Sequence, residues 1–522
     1  MSTSADVKLN TPVAQESDTE LVKGLGLTSA TTLVMGSMIG SGIFLVSAEI
    51  AREVNSPALL LGAWLVTGFM TIVGALSYGE LAAMMPKAGG QYVYLRESLG
   101  PLWGFLYGWT LFLVIQTGTI AAVGVAFGKF LGVFFPHAVA ADRWIWHIGH
   151  VREFHLFGIK SIAMGNMDVG LNWQNLFGIV IVVVLTIVNI YGIRTGAFVQ
   201  NVFTIAKVSA LFLLVLAGIF VARSHEAVVA NFSNFWRLNF PHSASGIYTG
   251  LQAGPFVGVL TILAVAQVGS LFSADAWNNV TFTAGEVKNP KRNLPLSLAI
   301  GTGVVILLYF LANVIYLNHL PLDGDPNGSS AAVVNGIKHA TDDRVGTAVM
   351  QQMFGGPGAS LMAIAILIST FGCCNGLILA GARVYYAMAK DGLFFKSVGK
   401  VNSAYKTPAI SLVVQGIWTC VLCLSGTYGQ LLNYVIFAVL VFYILTIGGL
   451  FVLRYKRPNA ERPYRAIGYP LLPAIYIVMA LFIDVVLLRY KPEFTWPGLI
   501  IVLLGIPVYL IWSRGKSGHT EA

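Results

Sequence analysis

Apolar stretches of about 20 residues recur along almost the whole of this 522-residue chain. Each stretch is long enough to cross the hydrocarbon core of a bilayer as an α-helix. Apolar side chains make up 56% of the residues and charged ones 11%, whereas soluble domains carry about 25% charged residues. The pattern therefore predicts an all-α integral membrane protein with twelve transmembrane helices. The predicted spans are 29–50, 57–84, 101–135, 172–191, 197–222, 255–284, 295–318, 358–389, 407–426, 428–453, 469–489 and 495–513.

The distribution of basic residues predicts the orientation of these spans. With the amino terminus inside, 20 of the 32 lysines and arginines fall on the inner side and 11 on the outer side. This asymmetry follows the positive-inside rule and explains the net charge of +9 without a nucleic-acid partner. Residues 1–22 are polar, lack a signal-peptide pattern and are expected to form a disordered cytosolic tail. Residues 514–522 are expected to be a second cytosolic tail, which makes both termini cytoplasmic.

Two of the predicted spans are interrupted near their middle. The first contains Gly36, Gly40 and Gly42, and the sixth changes from an apolar run to a polar one over residues 273–279. Backbone polar groups cannot stay unpaired in lipid, so a helix that unwinds there needs protein, water or a ligand as partner. Interruptions at corresponding points of two halves indicate the substrate site of a transporter.

The two interruptions have the chemistry to hold a zwitterion. A half-helix that begins near residues 41–44 presents free N–H groups to a carboxylate. Half-helices that end near residues 37–38 and 271–274 present free carbonyls to an ammonium group. The predicted substrate-binding residues are Ser37, Met38, Gly40, Ser41, Gly42, Ile43, Phe272, Ser273, Ala274 and Asp275. Alternatively, the glycines serve tight helix packing, which is common in membranes.

The positions of the interruptions also predict an internal symmetry. Spans one to five and spans six to ten each begin with a broken helix, and an odd number of crossings reverses the second set. An inverted repeat of five plus five helices is the expected geometry. Residues 23–453 would form this ten-helix transport core, and residues 454–513 would add two transmembrane helices.

Six short motifs resemble those of the amino acid–polyamine–organocation (APC) superfamily. They are GSGIF at 40–44, GEL at 79–81, PKAGGQY at 86–92, WN at 277–278, EVKNP at 286–290 and TPA at 407–409. The resemblance covers about residues 23–513 and is greatest to L-type amino acid transporters and their bacterial relatives. It implies the leucine-transporter fold, with broken helices 1 and 6 and alternating access around them.

Lys207 lies in the middle of the fifth predicted span, where a lysine is costly and is read as functional by default. The resemblance implies that its ammonium replaces the cation that sodium-coupled relatives bind between the first, fifth and eighth helices. It would then brace the first helix through carbonyls near residues 36–37, and a role in proton coupling is also open. The alternative is a lysine that snorkels to the membrane surface. Its predicted neighbours on the eighth span are Ser369, Thr370 and Asn375.

The resemblance also predicts a gate at the sixth span. Phe272 matches an aromatic residue placed over the bound amino acid, and Trp277 and Asn278 match a pair just below the site. Asp275 either caps the lower half of the sixth helix, which is the favoured interpretation, or binds a cationic side chain. Weaker pocket candidates are Gln116, Thr117, Thr119, Tyr385 and Tyr386.

These patterns predict a secondary active or exchange transporter for neutral L-amino acids. The alternative is an exchanger of cationic amino acids or polyamines, which Lys207 and the lack of a clear acidic pocket beyond Asp275 argue against. An enzyme is not expected, because all nine histidines fall in predicted loops or tails, and no cofactor or metal motif is present.

The cysteines bear on partners. All four lie inside predicted spans, so no external cysteine is available for the disulfide-linked heavy chain that animal L-type transporters have. This feature and the composition fit a bacterial inner membrane. At the inner side, charged residues are expected either to form ion pairs that close the site or only to set topology; they are Glu80, Arg96, Arg194, Glu286 and Lys288.

Overall fold

A computed structural model describes residues 21–139, 142–152, 154–155, 163–164, 167–221, 223–238, 255–325, 335–425 and 428–517. Most of these residues are helical. The helices are α1 (Leu27–Met38), α2 (Gly42–Val54), α3 (Pro57–Met84), α4 (Gln91–Leu99), α5 (Pro101–Thr110), α6 (Gln116–Leu131), α7 (Trp173–Ile190), α8 (Ile193–Phe220), α9 (His225–Phe232), α10 (Pro255–Ser273), α11 (Asn279–Phe282), α12 (Pro290–His319), α13 (Val345–Lys390), α14 (Ala409–Cys423), α15 (Tyr428–Lys456), α16 (Leu471–Tyr490) and α17 (Pro492–Ser517). A π-helical turn, Leu111–Ile115, joins α5 to α6, and 3-10 turns cover Ala284–Glu286, Thr341–Asp343 and Lys396–Gly399.

Within the described residues, eleven helical segments are long and apolar enough to cross a membrane, which identifies a multi-pass membrane protein. They correspond to all the predicted spans except the ninth, where α14 has only 15 residues. A helix of that length reaches about 22 Å, which is less than the roughly 30 Å of a hydrocarbon core. The count of twelve spans therefore remains a prediction. The predicted tail 1–22 lies almost entirely outside the described residues.

One segment outside the spans is not helical. Between α6 and α7 the chain forms four strands, β1 (Trp144–Val151), β2 (Phe154–His155), β3 (Ala163–Met164) and β4 (Met167–Asn172). β1 pairs antiparallel with β4, and β2 with β3, so the all-α prediction omitted a small hairpin. Within it, His147 and His150 each lie 3.1 Å from a carboxylate oxygen of Asp168 and hold the pKa of that carboxyl below its usual range.

The long helix α13 contains a sharp change of direction. Gly355 inside it has φ 69° and ψ −156°, a conformation that only glycine adopts without strain. The segment before Gly355 is therefore a separate short helix, and the segment after Pro357 matches the predicted eighth span. One histidine also differs from its prediction. His319 is not in a loop but is the last residue of α12, buried, with Nε2 3.1 Å from the Gly218 carbonyl.

The two broken spans lie at the centre of the bundle. α1 packs against α8, α12 and α13, while α2 packs against α10. Close approach depends on small residues, as at Gly301 of α12, where a Cβ would lie 2.5 Å from Val34 of α1. The last two helices, α16 and α17, pack against the outside of this core, mainly on α15, α10 and α5.

Candidate functional site

The predicted substrate residues all lie at the two helix breaks. α1 ends at Met38 and α2 begins at Gly42, while α10 ends at Ser273 and α11 begins at Asn279. All ten are buried, namely Ser37, Met38, Gly40, Ser41, Gly42, Ile43, Phe272, Ser273, Ala274 and Asp275. The breaks therefore form a single buried region.

Tyr309 of α12 links the two breaks. Its hydroxyl lies 3.0 Å from the Met38 carbonyl and 3.1 Å from the Ser273 carbonyl, so its one proton is shared between two helix ends. Both carbonyls belong to last turns, which have no intrahelical partner for them. The tyrosine is fully buried and was not anticipated from the sequence. The one sequence feature that pointed to it was a tyrosine hydroxyl inside the seventh predicted span.

Tyr309→Phe should therefore weaken transport without changing the fold. The variant keeps the ring but leaves the Met38 and Ser273 carbonyls without their shared donor, at a cost of about 1–3 kcal/mol. We expect initial uptake of labelled amino acid into proteoliposomes to fall about tenfold or more. Tyr455→Phe is the control, since Tyr455 is 88% exposed. Equal uptake by the two variants would show that the bridge does not matter for transport.

Lys207 of α8 holds the first break from the opposite side. Its side chain is 1% exposed, and its Nζ donates to the carbonyls of Gly36, of Ile39 at 2.7 Å and of Ser369 at 3.3 Å. Three acceptors require all three N–H bonds of an ammonium group. The contact with Gly36 is one that the family resemblance implied, and the snorkelling alternative is wrong.

Of the three predicted neighbours of Lys207, one is in place. The Ser369 hydroxyl lies 3.1 Å from the Ile39 carbonyl and 3.0 Å from the Gly40 carbonyl, so it supports the same stretch as the lysine. Thr370 bonds its own helix, and Asn375 bonds Gly196 and Gln200 of α8. Periodicity could not separate these three, because which one faces Lys207 depends on the rotation of α13.

The glycines of the first break serve close packing. A Cβ on Gly36 would lie 1.9 Å from the Gln200 amide, and a Cβ on Gly42 would lie 2.2 Å from the Ser273 hydroxyl. A Cβ at either position would force the Gln200 or Ser273 side chain to move. These two glycines therefore allow the first break to pack closely against α8 and α10.

One hydroxyl at the N-terminus of α2 remains for a ligand. Ser37 is 2% exposed and Ser41 is completely buried, and within the described residues neither side-chain oxygen has a hydrogen-bond partner. The Ser37 hydroxyl faces Gly376 of α13, whereas Ser41 occupies the N-cap position of α2 but does not cap it. A buried hydroxyl without a partner is costly, so Ser41 marks a place beside a helix N-terminus where a polar ligand can bind.

Asp275 does not cap the lower half of the sixth helix. The N-cap residue of α11 is Asn278, and no side chain caps that helix. Ala276 has φ 63°, and the Asp275 carboxylate lies against α15. There it accepts a hydrogen bond of 2.5 Å from the Tyr443 hydroxyl. The favoured sequence interpretation is therefore wrong at this residue.

A narrow cavity lies between the sixth-span break and helices α6 and α15. Its polar lining is Gln91, Tyr107, Gln116, Thr119, Asp275, Asn278, Asn279 and Tyr443. Two of the weaker candidates, Gln116 and Thr119, therefore line this cavity together with Asp275. Thr117, Tyr385 and Tyr386 do not line it. The sequence missed Gln91 and Tyr443, because which face of a mostly apolar helix turns inward is set by packing.

The predicted gate residues have these surroundings. Phe272 is 6% exposed in the last turn of α10, and Trp277 packs edge-on against Tyr78 with ring centroids 4.8 Å apart. Asn278 donates to the side-chain oxygen of Gln91 at 2.9 Å, which links the break to α4. These contacts hold the lower edge of the break but do not by themselves show gating.

Ion pairs connect helices at one end of the bundle, the predicted cytoplasmic one. Among the described side chains of the group, Glu80, Arg96, Glu286 and Lys288 do not pair with one another. Glu286 binds Arg383 of α13 through two hydrogen bonds of 2.9 and 3.2 Å, and both side chains are at most 1% exposed. Glu80 binds Arg454 and Arg462 instead.

The remaining members of that group are less informative. Arg96 pairs with Glu97 and Asp391, and Lys288 is exposed. The side chain of Arg194 lies outside the described part of the structure. The sequence did not identify the arginine partners. Arg383 lies inside a predicted span, where an ionisable residue is read as functional by default.

Glu286 also joins the first span to the sixth. Its carbonyl accepts hydrogen bonds of 2.9 Å from the backbone N–H groups of Gly24 and Leu25, just before α1. Lys288 returns a bond to the Leu25 carbonyl. Since its carboxylate binds α13, this one residue connects the first, sixth and eighth spans at the same end of the bundle.

Two broken helices held against each other inside a bundle of membrane-length helices define a transporter rather than an enzyme. The sequence profile of the amino acid permease family matches residues 25–511, and the chain belongs to this family.

Similar proteins agree with this assignment. The chain is 28% identical to the serine/threonine exchanger SteT of Bacillus subtilis (strain 168), over 96% of this chain and 99% of that protein. It is 27% identical to the b(0,+)-type amino acid transporter 1 of Mus musculus, over 96% and 90%. It is 29% identical to the large neutral amino acids transporter small subunit 2 of Homo sapiens, over 94% and 80%. The relatives are thus amino acid transporters or exchangers with different named substrates.

Proposed function

We propose that this protein moves neutral L-amino acids across the membrane by alternating access, as a secondary active transporter or an exchanger. The observation that carries the proposal is the arrangement around Tyr309. Two carbonyl-bearing helix ends, at Met38 and Ser273, meet beside the N-terminus of α2 and the unpaired hydroxyl of Ser41. The carbonyl ends suit an ammonium group, and the N–H groups suit a carboxylate. An α-amino acid has both.

We infer the leucine-transporter fold with a five-plus-five inverted repeat as the framework for this movement. The breaks at 39–41 and 274–278 interrupt spans one and six. These two spans begin the two halves, as the repeat requires. The peripheral packing of α16 and α17 supports their role as two additional helices outside residues 23–453. With the basic residues inside, both termini would be cytoplasmic in a bacterial inner membrane.

Lys207 is assigned to bracing the first break as a fixed cation. Its three carbonyl acceptors favour the charged ammonium group. We therefore assign this ammonium as the replacement for a bound cation, and not as a group that exchanges its proton during transport. Phe272, Trp277 and Asn278 are assigned to the gate, because they surround the sixth break, which must rearrange for substrate to pass. No disulfide-linked partner is proposed, because Cys373, Cys374, Cys420 and Cys423 lie within α13 and α14.

One observation favours the second candidate, an exchanger of cationic amino acids or polyamines. Asp275 is the single carboxylate in the lining of the cavity, and that lining contains no cation. A positively charged side chain could therefore be neutralised there. The neutral substrate remains our proposal, because the Tyr443 hydroxyl already binds this carboxylate and because Lys207 adds a fixed positive charge at the breaks.

Uptake by the Asp275→Asn variant separates the two candidates. We expect the wild type to take up neutral L-amino acids into proteoliposomes and the variant to retain that uptake within about threefold, since asparagine can still accept the Tyr443 hydrogen bond. The control variant is Glu461→Gln, because Glu461 is exposed at the surface and pairs there with Lys291.

Each measurement would use internal amino acid, an imposed proton gradient or neither, which distinguishes exchange from proton symport. Uptake restricted to arginine, lysine or polyamines, and lost in Asp275→Asn, would instead establish the cationic candidate.

A further inference from the structure

Asp484 is a buried carboxylate that the proposed transport site does not use. It lies on α16, on the same inward face as Tyr476 and Ala480, and is 4% exposed. In the part of the chain that the structure describes, neither carboxylate oxygen has a hydrogen-bond partner. The helices packed on this face are mainly α15, α10 and α3, so the carboxylate faces protein rather than lipid.

Among the described residues, no cation is placed to neutralise an ionised Asp484: Lys491, which follows α16 directly, pairs with Glu53. None of the 19 residues of α10 is titratable. Among the described side chains of the other helices packed on α16, the titratable ones are Tyr78, Glu80, Tyr443, Arg454, Tyr455, Lys456 and Tyr509, with Tyr476, Arg489 and Tyr490 on α16 itself.

These groups are engaged elsewhere or lie away from Asp484. Glu80 and Arg454 pair with each other, Tyr443 bonds Asp275, and Arg489 is exposed. Tyr476, two turns earlier on α16, is a phenol and supplies no positive charge. Burying an isolated ionised carboxylate is far more costly than burying its neutral acid. In this conformation Asp484 must therefore carry its proton.

We propose that Asp484 is a proton-binding site through which the transporter is coupled to the proton gradient. The carboxylic acid releases one proton to become a carboxylate when water reaches it, and it rebinds one proton when water leaves. The structural link is α10, the outer half of the broken sixth span, which packs on α16. Movement of α10 during alternating access would change the hydration of Asp484. The inference rests on the proposed transport function and names the ion that drives it.

Carbodiimide labelling tests the protonated state without any transport assay. Dicyclohexylcarbodiimide adds to a protonated carboxyl in apolar surroundings and rearranges to a stable N-acylurea, with no leaving group. We expect mass spectrometry of the purified protein at neutral pH to find the adduct at Asp484. The exposed Glu461 serves as the aqueous carboxyl that should stay unmodified. An unlabelled Asp484 in a protein that remains folded would overturn the proposal.

Asp484→Asn tests the coupling, because asparagine has the shape of the protonated acid but cannot release a proton. We expect amino acid binding to change by less than about twofold and exchange against internal amino acid to persist. Stimulation of uptake by an imposed proton gradient should be lost.

Three results would overturn the assignment: unchanged stimulation in the variant, wild-type uptake that ignores the proton gradient, or uptake driven by a sodium gradient. A wild type that transports no amino acid would instead contradict the proposed function itself, whereas the labelling result would still report on Asp484.

Discussion

Lys207→Ala should abolish amino acid uptake while the protein remains folded. The substitution removes the donor to the carbonyls of Gly36, Ile39 and Ser369, all in a buried setting. Leaving a buried acceptor unpaired costs about 1–3 kcal/mol, and the affected carbonyls belong to the break that would hold the substrate. A loss of about 3 kcal/mol corresponds to roughly a hundredfold fall in transport. The measurement is initial uptake into proteoliposomes, with Lys456→Ala, an exposed lysine at the end of α15, as control.

A second variant separates charge from packing at this position. Lys207→Met keeps most of the length of the side chain but has no N–H group. We expect it to be as inactive as the alanine variant and to elute from a sizing column as the wild type does. Full uptake by either variant would contradict the bracing role of Lys207 and leave it as a structural residue at most.

The helix breaks and Lys207 were predictable because their signal is local. Glycines in an apolar run and a lysine in mid-span each violate the pattern of a membrane helix at a known position. The resemblance then supplied the pairing of Lys207 with the carbonyl near Gly36, which the contact bears out. What the sequence could not give was the partner of each polar group on a distant helix.

Tyr309 illustrates that limit. It meets Met38, 271 residues away in the chain, only because α12 is rotated so that the hydroxyl faces the breaks. Asp275 shows a second limit: the capping rule uses position in the sequence alone, whereas the carboxylate meets Tyr443 on a helix 168 residues away. The ninth span shows a third limit. The predicted span 407–426 is longer than α14, because hydropathy counts apolar residues whether or not they continue a helix.

The charged residues of the predicted inner side show the same limit, because the sequence identified the acids without their partners. Glu80 and Glu286 were identified as candidates for ion pairs, yet their partners lie on α13, on α15 and in the segment after α15. In each case an acid near the end of one span meets an arginine from another. The proposed closure of this end thus depends on helices from both halves of the chain.

Glu286→Gln should produce the largest loss of stability. The variant leaves the Arg383 guanidinium, 1% exposed, without its carboxylate, and breaking a buried pair in this way costs about 3–5 kcal/mol. The matched control is Glu461→Gln, which breaks a pair with Lys291 whose side chains are 54% and 73% exposed and which should cost less than about 1 kcal/mol. The measurement is the melting temperature of the detergent-solubilised protein. Equal melting temperatures for the two variants would contradict the prediction.

The double variant Glu286→Gln/Arg383→Met then tests whether the loss comes from the stranded charge. Removing both partners eliminates the unpaired guanidinium, so the double variant should be more stable than Glu286→Gln alone. Because the Glu286 backbone would still bind Gly24 and Leu25, the connection between the first and sixth spans should survive in both variants. Losses that simply add would mean that the two side chains act independently, and that the contact between the sixth and eighth spans at this end is held by other residues.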